Sequence, residues 1–374
     1  MRVGLVARCL NTHHIRGMGR YVFEMLKQSG DQADLEWRVY GDDPGTPLHT
    51  PPGLRGRADV FAFRGDRFHL WEQLGLPLHL RGGGVDVLHC TEGSLPWWQP
   101  VPTVVTLHDT LAWGEHAGDA TSRVYFDKLL PAALARCAAI ITISESSRRD
   151  IVAKWPALAH KLTVVPHGIG DEYFIDGPGA LPGKLQAAVG SLPFLVYMGG
   201  PMARKRFDWA VQVLAASNRP DLHLVACGFG APARAAAQAA LPQSLRQRVH
   251  FAPFLSDAEL LALYRSAGAV LYPTLYEGFG FPAIEAQAAG VPAIFSAVGS
   301  LAELVGPLAC VVDPNDMSAW VQAVQRALAL AGSERTDLAA AARGWAQGFS
   351  WRQSFEQHLA VYRGVVESKW VTWS

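Results

Sequence analysis

A repeated alternation constrains this chain more than any other feature. Short runs that are apolar on both faces, RVGLVA, LEWRVY, VDVLHC, TVVTLH, AIITIS and LTVVPH, are spaced by longer stretches. After residue 190 the pattern restarts with FLVYMGG, HLVACG, VHFAPF, AVLYPT, PAIFSA and CVVD. Helical spacing falls between the runs, at residues 22–27, 122–137, 207–217, 257–265 and 317–331, and again at 351–365. Strands buried on both faces and joined by helices form parallel sheets with helices on each side. A chain of 374 residues is also too long for one core, and about 150 residues per domain predicts two. The break falls in DEYFIDGPGALPGKLQAAVGSLP, which is rich in Gly and Pro and reads as a linker. The expectation is an α/β chain of two doubly wound, Rossmann-like, parallel-sheet domains, residues 1–175 and 176–351, with 352–374 returning as a helix to the first. Ligands of such sheets bind outside the carboxyl ends of the strands, at the switch point. Two domains facing each other would enclose a cleft between those ends.

Composition removes several classes of function. Hydrophobic residues make up 49% of the chain and the formal net charge is zero, as in an ordinary globular protein. That balance argues against gripping nucleic acid, although it leaves room for local basic patches. The five cysteines, Cys9, Cys90, Cys137, Cys227 and Cys310, are far apart and form no C-x-x-C pair. A zinc site or disulfide framework is therefore not expected, and a reducing cytoplasm is. MRVGLVARCL reads as a first strand rather than a signal peptide, and no run approaches the ~18 apolar residues of a membrane span.

The stretch YEGFGFPAIEAQAAG, residues 276–290, joins a strand to a helix through a glycine-rich turn with an acid on either side. Pro282 suits a first helical turn and Gly290 a stop. Gly278, Phe279 and Gly280 then lead into a helix N-terminus, where free N–H groups and the helix dipole suit a phosphate or sugar hydroxyls. Glu285, placed within the first turn, can accept two neighbouring hydroxyls such as those of a ribose. Glu277, before the turn, would face the group beyond the phosphates. Taken singly, Glu285 reads as a helix-dipole partner and Glu277 as a solvated loop acid; the whole turn favours the binding role.

E-G-F-G-F-P-A-I-E resembles the E-x7-E motif of the retaining glycosyltransferases of family 4. RGMGRYVFEML resembles that family's glycine-rich loop and first helix, TLHDTLAW its His-Asp segment, and ITISESSRRDI its Ser-Glu helix start. VVPHGI resembles the segment before the hinge, YMGGPMARKR the donor loop, and GFSW the late tryptophan motif. Together, in this order, they cover nearly the whole chain. The resemblance implies the GT-B fold, two Rossmann-like domains with a deep cleft and a C-terminal helix crossing back. It also implies a nucleotide-diphosphate sugar donor held by the second domain and an acceptor entering from the first.

The remaining candidates follow from that frame. Arg204 and Lys205 lie at a strand's carboxyl end, where adjacent cations can hold a diphosphate as it leaves; the competing reading is a solvated basic turn that Arg206 continues. Gly17 belongs to the loop after the first strand, and Arg16 stands where the family places another glycine. The resemblance implies that His108 reaches the transferred sugar and that Asp109 orients an acceptor hydroxyl or the histidine. Arg16 and Arg20 are the other acceptor candidates. Trp97 and Trp98 in SLPWWQP, with HHIRGMGR, are compatible with a peripheral membrane contact, although core tryptophans explain the pair more simply. No D-x-D triplet occurs, so cations and a helix N-terminus take the part of a divalent ion, and no metal or cofactor is expected.

Catalytic work is thus assigned to Glu277, His108 and Lys205, and donor binding to Gly17, Arg204, Lys205, Gly278, Phe279, Gly280 and Glu285. In the family's mechanism the leaving phosphate itself takes the acceptor's proton. GDP-mannose leads as donor, with UDP-glucose and related sugars as alternatives. The expected acceptor is a saccharide or lipid-linked saccharide in polysaccharide or lipopolysaccharide assembly. Rivals on the same fold are a sugar-nucleotide 2-epimerase, a pyridoxal-phosphate-dependent phosphorylase and a non-enzymatic nucleotide-sugar-binding module. A nicotinamide dehydrogenase is the weakest rival, because Arg8-Cys9-Leu10, not a tight G-x-G-x-x-G turn, follows the first strand.

Overall fold

The structure, a computed structural model, describes residues 1–13, 15, 17–63, 67–110, 124–175 and 180–371. The chain divides into two compact units, Met1–Gly168 with Phe349–Ser374, and Ile169–Gly348. In the first unit the strands are β1 (Arg2–Val6), β2 (Glu36–Gly41), β3 (Gly56–Val60), β4 (Val87–Cys90), β5 (Thr103–Leu107), β6 (Ala139–Thr142) and β7 (Leu162–Val164). They pair in the order β3-β2-β1-β4-β5-β6-β7, all parallel. The second unit holds β8 (Phe194–Met198), β9 (His223–Cys227), β10 (Val249–Phe251), β11 (Ala269–Tyr272), β12 (Ala293–Ser296) and β13 (Ala309–Val312), in the order β10-β9-β8-β11-β12-β13, again all parallel. In both sheets the first strand lies beside the fourth, which is the doubly wound arrangement.

β3 is not among the apolar runs because it is an edge. Its sequence GRADV pairs only with β2, and its side chains are exposed or half-buried, so it carries charges instead of a two-sided apolar pattern. The division between units falls at Gly168, ahead of the expected 175. Residues 171–174 form a 3-10 turn belonging to the second unit, where Tyr173 is fully buried against Tyr264, with ring centroids 6.3 Å apart. Arg265 also donates to the carbonyls of Tyr173 and Ile175. The presumed linker is partly structured too, since Gly183–Val189 is a helix with Leu185 and Val189 inside.

The returning segment begins at Phe349, and its helix, Trp351–Val371, completes the core of the first unit. Tyr362 packs edge-on against Trp37, with ring centroids 6.3 Å apart. A buried chain of hydrogen bonds fastens this helix, and a single carbonyl sets its direction. The Ser354 carbonyl can only accept, so His358 Nδ1 donates to it at 2.7 Å. With the ring neutral, His358 Nε2 accepts from the Tyr21 hydroxyl at 2.8 Å. Tyr21 then accepts from the Thr106 hydroxyl at 3.1 Å, and Thr106 from His89 Nε2 at 2.8 Å. His89 Nδ1 accepts from the Tyr362 hydroxyl at 2.7 Å. Burial drives the pKa of His89 well below the ordinary imidazole value and that of His358 down to about 4, so both rings are neutral. Thr106 is the only link with a single oxygen that must both accept from a ring N–H and donate to a phenol. Thr106→Val is therefore expected to cost about 2 kcal/mol in urea unfolding, chiefly by stranding the His89 N–H. Tyr362→Phe should cost about half as much, because it leaves only a lone pair unmet.

Candidate active site

In the second unit, β8 and β11 meet at the switch point, and the loops leaving their carboxyl ends come together. The loop after β8 forms a 3-10 turn, Ala203–Lys205, and a left-handed Arg206 (φ 55°) ends it. That reversal splits the basic run. Arg206 turns away, its guanidinium lying 4.0 Å from the Trp209 ring centroid and donating to the Pro314 carbonyl. Arg204 and Lys205 turn toward the loop after β11. Residues 204 and 205 are therefore not a continuation of a solvated basic turn.

Their shared partner is Glu277. One carboxylate oxygen, Oε1, accepts from Arg204 at 2.7 Å, from the Thr274 hydroxyl at 2.9 Å, and from the Lys205 ammonium. Arg204 also holds the Tyr276 carbonyl at 2.7 Å, and Lys205 donates to the Tyr272 hydroxyl at 2.7 Å while lying over that ring. Burial, and then the neighbouring Glu277 charge, raise the Tyr272 phenol well above its usual range, so it remains a neutral acceptor for the ammonium. The backbone is fixed as well, since the Leu275 N–H reaches the Arg204 carbonyl at 2.8 Å. Ser300 lies within 2.9 Å of the Glu277 carbonyl and 2.8 Å of that of Phe279. Glu277 is therefore a buried acid in a braced turn, not a solvated loop residue. Two cations face one carboxylate, an excess of positive charge suited to a diphosphate.

The turn Gly278–Gly280 leads into the helix Phe281–Ala288, with Pro282 in its first turn. Gly280 caps the helix at φ 105°, and a Cβ there would lie 2.3 Å from Leu301 Cδ2, so only glycine fits. No side chain caps this N-terminus. Phe279 is buried edge-on to Phe281. Glu285 departs from expectation. The helix starts at Phe281, so Glu285 is its fifth residue and lies past the first turn, which contains no acid. It is only 5% exposed, and its Oε2 accepts from the Tyr264 hydroxyl at 3.0 Å. Burial and the Glu285 charge raise the Tyr264 phenol well above its normal value, keeping it a donor.

The first unit holds the remaining candidates. His108 directly follows β5, and its Nε2 donates to the Thr91 carbonyl at 2.8 Å, which leaves Nδ1 as the acceptor nitrogen of a neutral ring. Burial lowers its pKa. Its own carbonyl accepts from Ser147 at 3.0 Å, and Ser147 in turn belongs to the Ser144 cap of the helix Glu145–Lys154. Tyr21 and His167 pack against the ring with centroids 5.3 and 5.4 Å away. Asp109 follows His108 and is half-buried. Gly17 is the first residue of the helix Gly17–Gln28 rather than part of the loop, and a Cβ there would meet nothing within 4 Å. The glycine that packing requires is Gly19, whose Cβ would lie 2.8 Å from the Cys9 carbonyl. Arg20 is half-buried on that helix, while His14 and Arg16 lie outside the described residues. Trp97 is 47% exposed and Trp98 half-buried, so the pair is not a core pair.

Sequence reasoning did not single out Thr274, Tyr272, Tyr264 or Ser300. Thr274 and Tyr272 sit in AVLYPT and were within reach, as the last polar groups before an acid. Ser300 and Tyr264 come from other elements, and no local pattern marks them. Among the described residues, no group of three or more His, Cys, Asp or Glu side chains is placed to hold a metal ion.

Two all-parallel Rossmann-like units, a helix returned from the C-terminus to the first, and a basic pair at the switch point of the second define the GT-B class of fold. Comparison with known proteins gives the same result. The family described as Glycosyltransferase Family 4 matches residues 15–173, and Glycosyl transferases group 1 matches residues 186–345. The O-antigen chain mannosyltransferase B of Escherichia coli is 28% identical over 268 residues, covering 70% of each chain. A D-inositol 3-phosphate glycosyltransferase of Actinosynnema mirum is 32% identical over 311 residues, 75% of this chain and 72% of the relative. Among solved structures, the sucrose-phosphate synthase of Thermosynechococcus elongatus superposes with a TM-score of 0.74 at 22% identity, covering 98% of this chain and 99% of that one. The chain belongs to the family 4 type of GT-B glycosyltransferases, and its activity is glycosyl transfer.

Proposed function

We propose that this glycosyltransferase moves a hexose, mannose in the first instance, from a nucleotide-diphosphate sugar to a saccharide or lipid-linked saccharide, with retention at the anomeric carbon and without a metal. The observation that carries this reading is the meeting of Arg204 and Lys205 on Glu277 at a switch point. The two cations take the diphosphate and stabilise it as it leaves. The Gly278–Gly280 turn admits the phosphates, with Phe279 and Phe281 bracing it. Glu285 holds the ribose, and Glu277 faces the sugar. His108 offers Nδ1 to a hydroxyl of the transferred sugar. Asp109, Arg20 and Arg16 contribute to the acceptor side, and Gly17 opens the helix at the donor's phosphates. The departing phosphate receives the acceptor's proton, so no side chain need act as base. The likeness to an O-antigen chain mannosyltransferase supports mannose and a polysaccharide acceptor.

The test is a thermal-shift comparison of GDP, UDP and ADP, because a ligand of the folded state raises its melting temperature. GDP should give the largest shift; a larger shift with UDP would replace mannose by a UDP-sugar. Lys205→Ala should abolish most of that shift and lower kcat/KM at least tenfold, since a hydrogen bond to a charged group contributes roughly 1.5–3 kcal/mol. An unchanged kcat/KM would remove Lys205 from the site. Activity should survive EDTA. Loss on chelation, restored by magnesium or manganese, would show that a metal neutralises the diphosphate. Release of nucleotide diphosphate only when acceptor is present separates transfer from epimerisation and from mere binding.

A further inference from the structure

A further acid stands at the strand ends of the first unit. β4 is followed by Thr91 and Glu92, and then by Gly93 in the left-handed region (φ 78°), where the chain turns back. Thr91 is fully buried and tied on both sides. Its hydroxyl donates to the Val6 carbonyl of β1 at 2.7 Å, and its carbonyl accepts from His108, which follows β5, at 2.8 Å. Glu92 is therefore held at the same end of the sheet as His108, one residue beyond the carbonyl that fixes the imidazole. One of its oxygens, Oε1, accepts from the Cys9 N–H at 2.8 Å. Its side chain is 12% exposed, so it is anchored and still open to a ligand.

Pairing with a cation does not account for this acid. Its neighbour Arg8 already has a carboxylate, the buried Glu72, whose Oε2 accepts from it at 3.0 Å. Ser94 donates to the same Glu72 oxygen at 2.6 Å, while Gln73 and Tyr125 donate to the other at 3.2 and 3.4 Å. Glu92 Oε2 lies farther from the guanidinium, 3.8 Å from Arg8 Nε. One cation thus faces two carboxylates. Burial lowers the Arg8 pKa, yet Glu72, Glu92 and Asp42 more than reverse that shift, so the acids prevail. The Glu92 charge also reaches the imidazole. Burial lowers the His108 pKa, and the Thr91 carbonyl, Asp109 and Glu92 oppose it. A carboxylate only accepts hydrogen bonds, and the free nitrogen of His108, Nδ1, does the same. Among the described residues, the ends of β4 and β5 therefore offer a ligand hydrogen-bond acceptors and negative charge.

Given transfer to a saccharide, on which this rests, we propose that Glu92 binds the acceptor directly, taking a hydrogen bond from one of its hydroxyls. Its charge makes the first unit select an acceptor end that is neutral over one that carries phosphate or carboxylate. A hydroxyl supplies the hydrogen that Glu92 and His108 Nδ1 both lack. A phosphate dianion supplies none and would meet a like charge. Arg20, half-buried, belongs to the helix Gly17–Gln28 and not to these strand ends.

The experiment is acceptor kinetics of the full chain, with GDP-mannose and UDP-glucose as donors. The acceptors are matched pairs: the methyl glycosides of mannose, glucose and galactose, and their 6-phosphates. In any pair that is used, the neutral member should have a kcat/KM about tenfold or more above that of its phosphate. This preference tests the charge without any variant. Glu92→Gln should raise the acceptor KM about tenfold, change the donor KM by less than about twofold, and narrow the preference to about threefold or less. Glu92→Asp keeps the charge and should keep the preference. Equal or better use of the phosphate by the parent overturns the assignment while transfer stands. So does a preference that Glu92→Gln leaves intact, or a Glu92→Gln protein with a lowered melting temperature that is slowed on both members alike, because the acid would then serve only the fold. If no acceptor releases nucleotide diphosphate, the assignment falls together with the saccharide acceptor itself.

Discussion

Glu277→Gln is expected to lower kcat about a hundredfold while leaving the affinity for bare nucleotide diphosphate unchanged or raised. The carboxylate oxygen takes two charged donors and a hydroxyl. An amide oxygen retains the geometry but not the charge, and hydrogen bonds between ions are roughly twice as strong as neutral ones. Losing that difference at two contacts amounts to about 2.7 kcal/mol, or a factor of about a hundred, if the acid also supports positive charge developing on the sugar. The cations lose their counter-charge, so a diphosphate without its sugar should bind no worse. Glu285→Gln should fail in the opposite way. Its contacts lie away from the breaking bond and should be equal in ground and transition states, so the donor KM should rise with little change in kcat. Steady-state kinetics with calorimetry of the bare nucleotide distinguishes the two. Weakened nucleotide binding in Glu277→Gln, with none in Glu285→Gln, would exchange the two roles.

Acid should weaken the first unit steeply. His89, His167 and His358 are at most 3% exposed, and burial holds each imidazole below its ordinary pKa, His358 at about 4. A base whose folded pKa is depressed stabilises the fold above its unfolded value, near 6.5, and loses that contribution as the pH falls toward the folded value. Between pH 6.5 and 5 the unfolded chain binds a proton at each of these positions and the folded chain does not. His358, held at about 4, then removes about 2 kcal/mol by pH 5, and His89 and His167 act in the same direction. Urea midpoints should fall sharply over that interval. The imidazole resonances of His89, His167 and His358 in the folded protein should not titrate there, and ordinary titration of these three near pH 6.5 would show that the cluster is not closed to protons.

Much of this was legible in the sequence because parallel strands are buried on both faces and so declare themselves as apolar runs. β1, β5, β8 and β11 needed nothing else, and fixing β11 placed the turn to Gly280. β3 was silent for the converse reason, being an edge whose arginine and aspartate belong to the surface. The site was half legible. Arg204, Lys205 and Glu277 are recognisable as charges at strand ends, but their union on one oxygen depends on two loops some seventy positions apart. The separation of Arg206 from its neighbours depends on one left-handed residue, which no composition marks. Glu285 was placed a turn too early because Pro282 suggests where a helix begins only approximately. Trp97 illustrates the limit of aromatic content as evidence: residue type gives size, and only the surrounding helices decide whether a ring is covered.

The hydrogen-bonded chain from Ser354 to Tyr362 bears on the order in which the molecule is made. The first unit receives Trp351, His358 and Tyr362 from the last part of the polypeptide, whereas Ile169–Gly348 is continuous. During translation the amino-terminal portion emerges first, yet Tyr21 and His89 must wait for partners synthesised more than two hundred residues later. Domains generally fold as they leave the ribosome, beginning at the amino end. Here the middle of the chain can close first, and the unit begun earliest is the last to be finished. Until residues 351–362 have emerged, its unpaired imidazoles and open helix groove are the part of the nascent protein that a chaperone has most reason to cover.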